Sequence, residues 1–159
     1  LPFILIHKRV LTISNNFTYK IYTDGACLGN PGKGGWAAII FDSSNNKSFV
    51  SGSEKITTNN RMELLAPINA LKKIKKKSTI IIYTDSKYLI NGINDWIKKW
   101  KINKWKTSNK KDVKNKDLWV LLDNQINFHK ITWEWVKGHS GNVYNEEADK
   151  LARDEAEKL

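Results

Sequence analysis

Twice in this chain an apolar, β-branched run ends on an aspartate, and this repeat limits the possible folds more than any other feature. In the first run, Phe17, Tyr19, Ile21 and Thr23 alternate with Tyr22 and Asp24, the period of a strand with two different faces. In the second, residues 79–84 are apolar almost throughout and stop at Asp85, as in a strand covered on both sides. Helix-like patterns precede and follow the second run, and helix–strand–helix order argues for a parallel central sheet. Two acids at the ends of adjacent parallel strands lie side by side at the C-terminal edge of the sheet, where open α/β sheets bind ligands. A strand-end aspartate can also do no more than start a turn, so each acid needs company before it suggests chemistry.

The segments between and beyond these runs supply that company. Gly25, Gly29, Pro31, Gly32, Gly34 and Gly35 follow Asp24 and read as a loop or hairpin connection. Residues 36–41 read as a second strand, 42–47 as a turn and 48–53 as a third strand, together an antiparallel meander. A helix follows, with Thr57, Thr58, Asn59 and Asn60 as cap candidates. Met62, Leu65, Ile68, Leu71 and Ile74 mark its apolar face, flanked by Leu64, and a lysine run over 72–77 closes it. Glu63 falls in its first turns, where the helix dipole alone favours an acid. Pro67 removes the amide that would bond the Glu63 carbonyl and predicts a bend. Ser86 starts a short helix, residues 113–126 form an amphipathic one, and residues 129–136 alternate as a last strand with Ile131, Trp133 and Trp135 on one side. Gly138 and Gly141 flank His139 and Ser140 in a loop, and a final helix starts near Tyr144. Ala148, Leu151, Ala152 and Leu159 form its apolar side, with Asp149 beside it.

Composition narrows the partner. A chain of 159 residues with 40% hydrophobic content suits one domain with its own core. Its 27 Lys and Arg against 16 Asp and Glu give a net charge of +11, which favours a polyanion. No long apolar or amphipathic anchor is present, so nucleic acid is preferred over a membrane. Cys27 is the only cysteine, which excludes an internal disulfide and, with no Cys/His cluster, a zinc site. Trp96, Trp100, Trp105 and Trp119 are interleaved with lysines at 98, 99, 101, 104, 106, 110, 111, 114 and 116, opposed inside that interval by Asp112 and Asp117. Lysines for phosphates and rings for sugars or bases are what a nucleic-acid surface needs. The tryptophans equally suit anchoring of short helices, and Trp119 with at least one other is expected to be structural. Residues 1–16 begin apolar and then carry His7, Lys8 and Arg9. That run is too short to span a membrane, and its charges stand in the wrong order for a signal peptide. It is expected to be an extension with an added edge strand at 3–6 or 10–13, leaving residues 17–159 as the domain proper.

Asp24, Glu63, Asp85 and Asp149 thus come from two strand ends and two helices. Four carboxylates in so basic a chain suit divalent cations with oxygen ligands, and two such cations about 3.5–4 Å apart can clamp a phosphodiester.

Read in order over residues 17–153, the segments YTDGACLGNPGKGGW, TTNNRMELLA, YTDSKYL, KTSNKKDVKNKDLW and WEWVKGHSGNVYNEEADKLA resemble type 1 ribonuclease H in its bacterial form. The resemblance implies an α/β, ribonuclease H-like fold: a five-stranded mixed sheet, its first three strands antiparallel, with helices on both faces. It implies a hydrolase, an endonuclease that cuts the RNA strand of RNA–DNA hybrids with two Mg²⁺ or Mn²⁺ ions and leaves 3′-hydroxyl and 5′-phosphate ends. In that pattern Asp24 bridges the two metals, Asp149 helps hold the one on the nucleophile side, and Glu63 and Asp85 hold the other. His139 matches the loop histidine that assists proton transfer or product release. Cys27, Asn30, Asn59 and Asn60 match positions lining the RNA strand, Thr58 and Asn115 a pocket for a DNA-strand phosphate, and Trp96 an aromatic against DNA sugars. Lys98, Lys99, Lys101 and Lys104 are expected to meet backbone phosphates. A cytoplasmic monomer that binds hybrid and no membrane is expected. Pro67, Lys87 and the N-terminal extension depart from the family pattern, but none removes an acid. Integrases and transposases, a catalytically dead hybrid-binding module and a basic assembly protein are the competing readings. The NNRMEL and WVKGHSG segments argue against the first, and the intact acids against the second.

Overall fold

The alternation that begins at Tyr19 builds the middle of a sheet. The computed structural model describes residues 17–138 and 141–159. Its strands are β1 (Tyr19–Cys27), β2 (Gly32–Phe41), β3 (Lys47–Thr57), β4 (Thr79–Thr84) and β5 (Lys130–Trp135). They form one five-stranded sheet in the order β3-β2-β1-β4-β5. The β1–β2 and β2–β3 pairs are antiparallel, and β4 is parallel to both β1 and β5. The expected mixed sheet, with its first three strands antiparallel, is what the chain forms.

Helices cover both faces. After β3 comes α1 (Asn59–Lys73), and after β4 come α2 (Lys87–Asn91), a π-helical turn (Gly92–Trp96) and α3 (Ile97–Ile102). The last two helices are α4 (Lys116–Phe128) and α5 (Val143–Glu157). A Cβ on Gly25 would lie 2.5 Å from the backbone of Met62 and Glu63, whereas one on Gly35 would collide with the Ala152 carbonyl oxygen. Gly35 pairs with Ala26, the neighbour of Gly25. Neighbours on a strand point to opposite faces, so α1 covers one face and α5 the other. Ile21, Ile80, Ile82, Leu64, Ile68, Leu71, Leu89, Trp119 and Leu122 fill the core on the α1 side. On the α5 side, Ala148, Ala152 and Ala156 are fully buried, and these small side chains let the helix axis come close to the sheet.

Several boundaries differ from the sequence reading, each for a physical reason. The strands β1 and β2 run deep into the glycine-rich stretch, through pairs such as Gly25↔Trp36 and Cys27↔Gly34. Its glycines serve close helix approach more than chain reversal, and only residues 28–31 turn. Likewise β3 continues to Thr57 because β2 offers it a partner along that length. The amphipathic helix α4 begins at Lys116 rather than 113, because Asn115 is left-handed with φ 60° and the Val113 amide bonds Trp105 O at 3.0 Å. On the edge strand β5, Ile131 and Trp133 are half-buried but Trp135 is 44% exposed. Leu64, expected only to flank the apolar face of α1, is fully buried along with Leu71, whereas Leu65 is half-buried; as read from the sequence, that helix continues through Pro67, to Lys73. The expected edge strand at 3–6 or 10–13 lies outside the described residues.

Because the Gly35 contact is with helix backbone, Gly35→Ala should destabilise the fold by about 3 kcal/mol or more. Urea unfolding measures this, and a loss under about 1 kcal/mol would show that α5 can move away without penalty.

Candidate active site

Parallel pairing of β1 with β4 runs from Tyr19↔Ile80 to Tyr22↔Tyr83. Asp24 and Asp85 stand two residues beyond that last pair, on the same face as the two tyrosines. The tyrosine rings stack at 4.7 Å, and Tyr144 of α5 leans on Tyr22 at 5.1 Å. Glu63 reaches the same place from α1. Thr58 caps that helix by accepting from Arg61 N at 3.3 Å, and the bare Gly25 lets its first turns press against β1. One ligand oxygen from each of Asp24, Glu63 and Asp85 lies within 4.8 Å of the others.

The cluster is dry. Asp24 is 6% exposed and Glu63 5%. Gly25 N donates to Asp24 Oδ1 at 2.9 Å, while Glu63 Oε2 is buried without a hydrogen-bond partner. Burial first, and then the charge of Asp85, pushes the Asp24 carboxyl up from its ordinary 3.8 to about 8. Burial, then Asp24 and Asp85, raises Glu63 well above its usual range. Asp149 on α5 stands outside that group of three but near enough to Asp24 to help raise its carboxyl, and its Oδ2 accepts from Arg153 Nε at 3.1 Å. A small pocket beside Asp85 is lined by Lys137, Gly138, Asn142, Asn145, Glu146 and Asp149. The sequence pattern does not single out Asn145. Both of its amide atoms are buried there without partners, and its place one helical turn before Asp149 is the available signal. His139 lies outside the described residues.

The proposed substrate residues fall into two groups. Around the β1–β2 turn, Cys27 Sγ donates to Gly29 O at 2.6 Å and Thr57 O at 3.4 Å, and Asn59 N donates to Asn30 Oδ1 at 3.2 Å; Asn60 is next in α1. Farther along, Arg61 ties Thr58 to Asn115. Its guanidinium bonds Asp117 at 3.0 and 2.8 Å and Asn115 Oδ1 at 3.3 Å. Arg61 is likewise absent from the residues that sequence reasoning picks out. It is one of only three arginines in a lysine-rich chain, and a bidentate fork is what a lysine cannot replace. Trp96 packs on Tyr88 at 5.5 Å and on Trp100 at 5.8 Å, and Trp119 is fully buried. Lys98, Lys99 and Lys104 are exposed, but Lys101 pairs with Asp123 at 3.3 Å, an acid from α4 that inspection of the lysine run alone does not reveal.

The ribonuclease H family model matches residues 16–157. The chain belongs to the ribonuclease H family. Ribonuclease H of Francisella tularensis subsp. novicida (strain U112) is 63% identical over 131 residues, 82% of this chain and 86% of that protein. Ribonuclease H of Francisella philomiragia subsp. philomiragia is 59% identical over 143 residues, 90% of this chain and 92% of that one. Among solved structures, LC9-RNase H1, a type 1 RNase H with the type 2 active-site motif, matches with a TM-score of 0.81 at 31% identity, over 90% of this chain and 74% of that one. LC11-RNase H1 in complex with RNA/DNA hybrid matches at 0.67 and 21% identity, over 88% of this chain and 97% of that one, and so supports the fold alone. The protein is accordingly an endoribonuclease of a family that degrades RNA in RNA–DNA hybrids with divalent metal. Its acid cluster fits such an ion: the donors are all carboxylate oxygens, hard ligands for hard cations, and the orphaned Glu63 Oε2 has a ligand's position without a protein partner.

A raised carboxyl pKa has a defined sign. The folded state favours the proton on Asp24, so this group's contribution to stability is intact below the ordinary 3.8 and lost as pH rises through about 8. Cation binding demands the opposite state. At pH 7, Mg²⁺ binding should release protons, and apparent affinity should climb with pH until about 8. Calorimetry in two buffers of different ionisation enthalpy checks this; a buffer-independent heat at pH 7 would contradict it.

Proposed function

We propose that the protein hydrolyses the RNA strand of RNA–DNA hybrids endonucleolytically, with two divalent cations, Mg²⁺ or Mn²⁺, and leaves 3′-hydroxyl and 5′-phosphate ends. The observation that carries this reading is the convergence of Asp24, Glu63 and Asp85 oxygens within 4.8 Å of one another, in a fold and family that fit that chemistry. Asp24, Glu63, Asp85 and Asp149 hold the ions. When bound, the ions supply charge stabilisation at the scissile phosphate. Everything else falls to the chain's own side chains. Asp24, whose carboxylate lies within reach of both Glu63 and Asp85, would serve both ions and supply the negative charge that draws them together. Cys27, Asn30, Asn59 and Asn60 line the RNA strand, where asparagine can both donate to and accept from a 2′-hydroxyl. Thr58 and Asn115 take a DNA-strand phosphate, Trp96 a sugar, and Lys98, Lys99 and Lys104 further phosphates. His139, between glycines on either side of its loop, exchanges a proton near neutrality.

Labelled hybrid, RNA duplex and single-stranded RNA, each incubated with and without Mg²⁺, provide the test. Metal-dependent cutting of hybrid alone is expected, with end-labelling to identify the termini; equal cutting of single-stranded RNA would overturn the reading. Asp24→Asn should abolish cleavage and leave hybrid binding intact, because it removes the shared charge but keeps the shape. His139→Ala should slow turnover by roughly 10- to 100-fold, toward the low end for acid–base groups, with metal binding unchanged.

Replacing Lys98, Lys99 and Lys104 together with alanine should lower the slope of log affinity against log salt by roughly 2 to 3, near one for each phosphate left without its lysine. Lys101→Ala should change it less, because Asp123 already opposes that charge. An unchanged slope in the triple variant would make the run a solvated face only.

A further inference from the structure

Beside the proposed phosphate pocket, side chains from three segments (α1, α2 and α4 with its N-cap) are joined by one continuous set of hydrogen bonds. Arg61 donates to Asp117 and to Asn115 Oδ1. Asn115 Nδ2 donates to Tyr88 Oη at 3.0 Å, and Trp119 Nε1 donates to the same oxygen at 3.0 Å. Guanidinium and indole nitrogens only donate. Their presence at the two ends decides which way the Asn115 carboxamide points: oxygen toward Arg61, nitrogen toward Tyr88. Both acceptor positions of the tyrosine oxygen are then filled. Asn115 Nδ2 carries a second hydrogen that this network does not use, and a phosphate oxygen can accept it. The Asn115 backbone is left-handed, with φ 60° and ψ 27°, a conformation asparagine tolerates better than most residues.

Tyr88 touches the second DNA-side feature too. Its ring packs on Trp96 at 5.5 Å and on Trp119 at 5.3 Å. It stands three residues after Asp85, on the segment that leaves the acid cluster.

We infer that Tyr88 is a positioning residue for the DNA strand. Its hydroxyl oxygen holds the Asn115 amide in the donor orientation, and its ring backs the aromatic that meets the sugar. The inference rests on the reading of Thr58 and Asn115 as a phosphate pocket. The competing role is purely structural, an acceptor for the buried Trp119 indole.

The test is a double-variant cycle on the full chain, with hybrid affinity read by fluorescence anisotropy without metal and with kcat and KM read in Mg²⁺. Tyr88→Phe keeps the ring and its packing and removes only the oxygen. It and Asn115→Ala should each weaken hybrid binding about 3- to 10-fold, the range of one hydrogen bond. Each should raise KM in proportion with kcat within about twofold, and the double variant should bind no worse than the weaker single one. Effects that multiply in the double variant, or a lowered thermal midpoint with affinity unchanged, would leave Tyr88 a structural residue and overturn the inference. Weakened binding in Asn115→Ala with wild-type binding in Tyr88→Phe would overturn it while sparing the pocket. Wild-type binding in Asn115→Ala would overturn the pocket reading and the inference with it.

Discussion

Buried carboxylates within reach of one another oppose folding, and much of this structure is arranged to hold them together regardless. Desolvation and mutual charge raise both Asp24 and Glu63, so the metal-free fold keeps protons where the working site needs negative charge. What resists dispersal is the packing behind them. Ile21 and Ile82, in the strands that carry Asp24 and Asp85, are fully buried, and so are Leu64 and Leu71 in the helix that carries Glu63. Moving any one acid away would disturb that core, and removing a single large core side chain typically costs 2–5 kcal/mol. The site draws on the stability of the whole domain.

Backbone geometry makes the convergence possible. The parallel register Tyr22↔Tyr83 fixes where Asp24 and Asp85 emerge, and antiparallel pairing with β2 keeps Asp24 in an ordered strand after β4 has stopped. Glycine supplies the clearance. A side chain at Gly25 would push α1 and Glu63 outward, and one at Gly138 would stand 3.0 Å from Asp85 Oδ2. At the edge of the sheet, Trp135 donates its indole N–H to the Asp85 carbonyl at 3.2 Å while Lys87 stands over its ring at 5.4 Å. The exposed tryptophan on β5 therefore braces the loop that carries Asp85, which accounts for a large aromatic left half in water.

How much of this is legible in the sequence follows from how local each signal is. Strand alternation and helix starts are local, so the central strands, the Ser86 cap and the pairing of Asp24 with Asp85 can be read directly, while the α1 cap narrows only to residues 57–60. Glu63 and Asp149 are weaker signals, because an acid on a helix looks the same with or without chemistry until it is grouped with the strand-end pair. The extent of β1 and β2 escapes a sequence reading because glycine usually marks a turn, and nothing local shows that a helix backbone will press on it. The exposure of Trp135 escapes it because alternation identifies a strand but not whether that strand lies at an edge. Long-range partners are invisible: Asp123 against Lys101, Asp117 against Arg61, and Tyr88 against Asn115 are separated by 22, 56 and 27 residues.

The charge distribution links the fold to its substrate. A net charge of +11 draws a polyanion toward the molecule from a distance, yet the point where chemistry is expected is lined by buried acids that offer a phosphate no attraction of their own. The exposed lysines on α3 and the turn after it lie at the far end of the segment that begins beside Asp85. On the proposed reading, a hybrid held there by its phosphates would be brought to the acids without needing to be attracted by them. Binding and cutting then depend on different residues, joined through the short helical stretch that carries Tyr88. In this arrangement a cation would satisfy carboxyls that the fold has forced together and add positive charge where an incoming phosphate otherwise meets none, so a basic protein can keep an acidic centre.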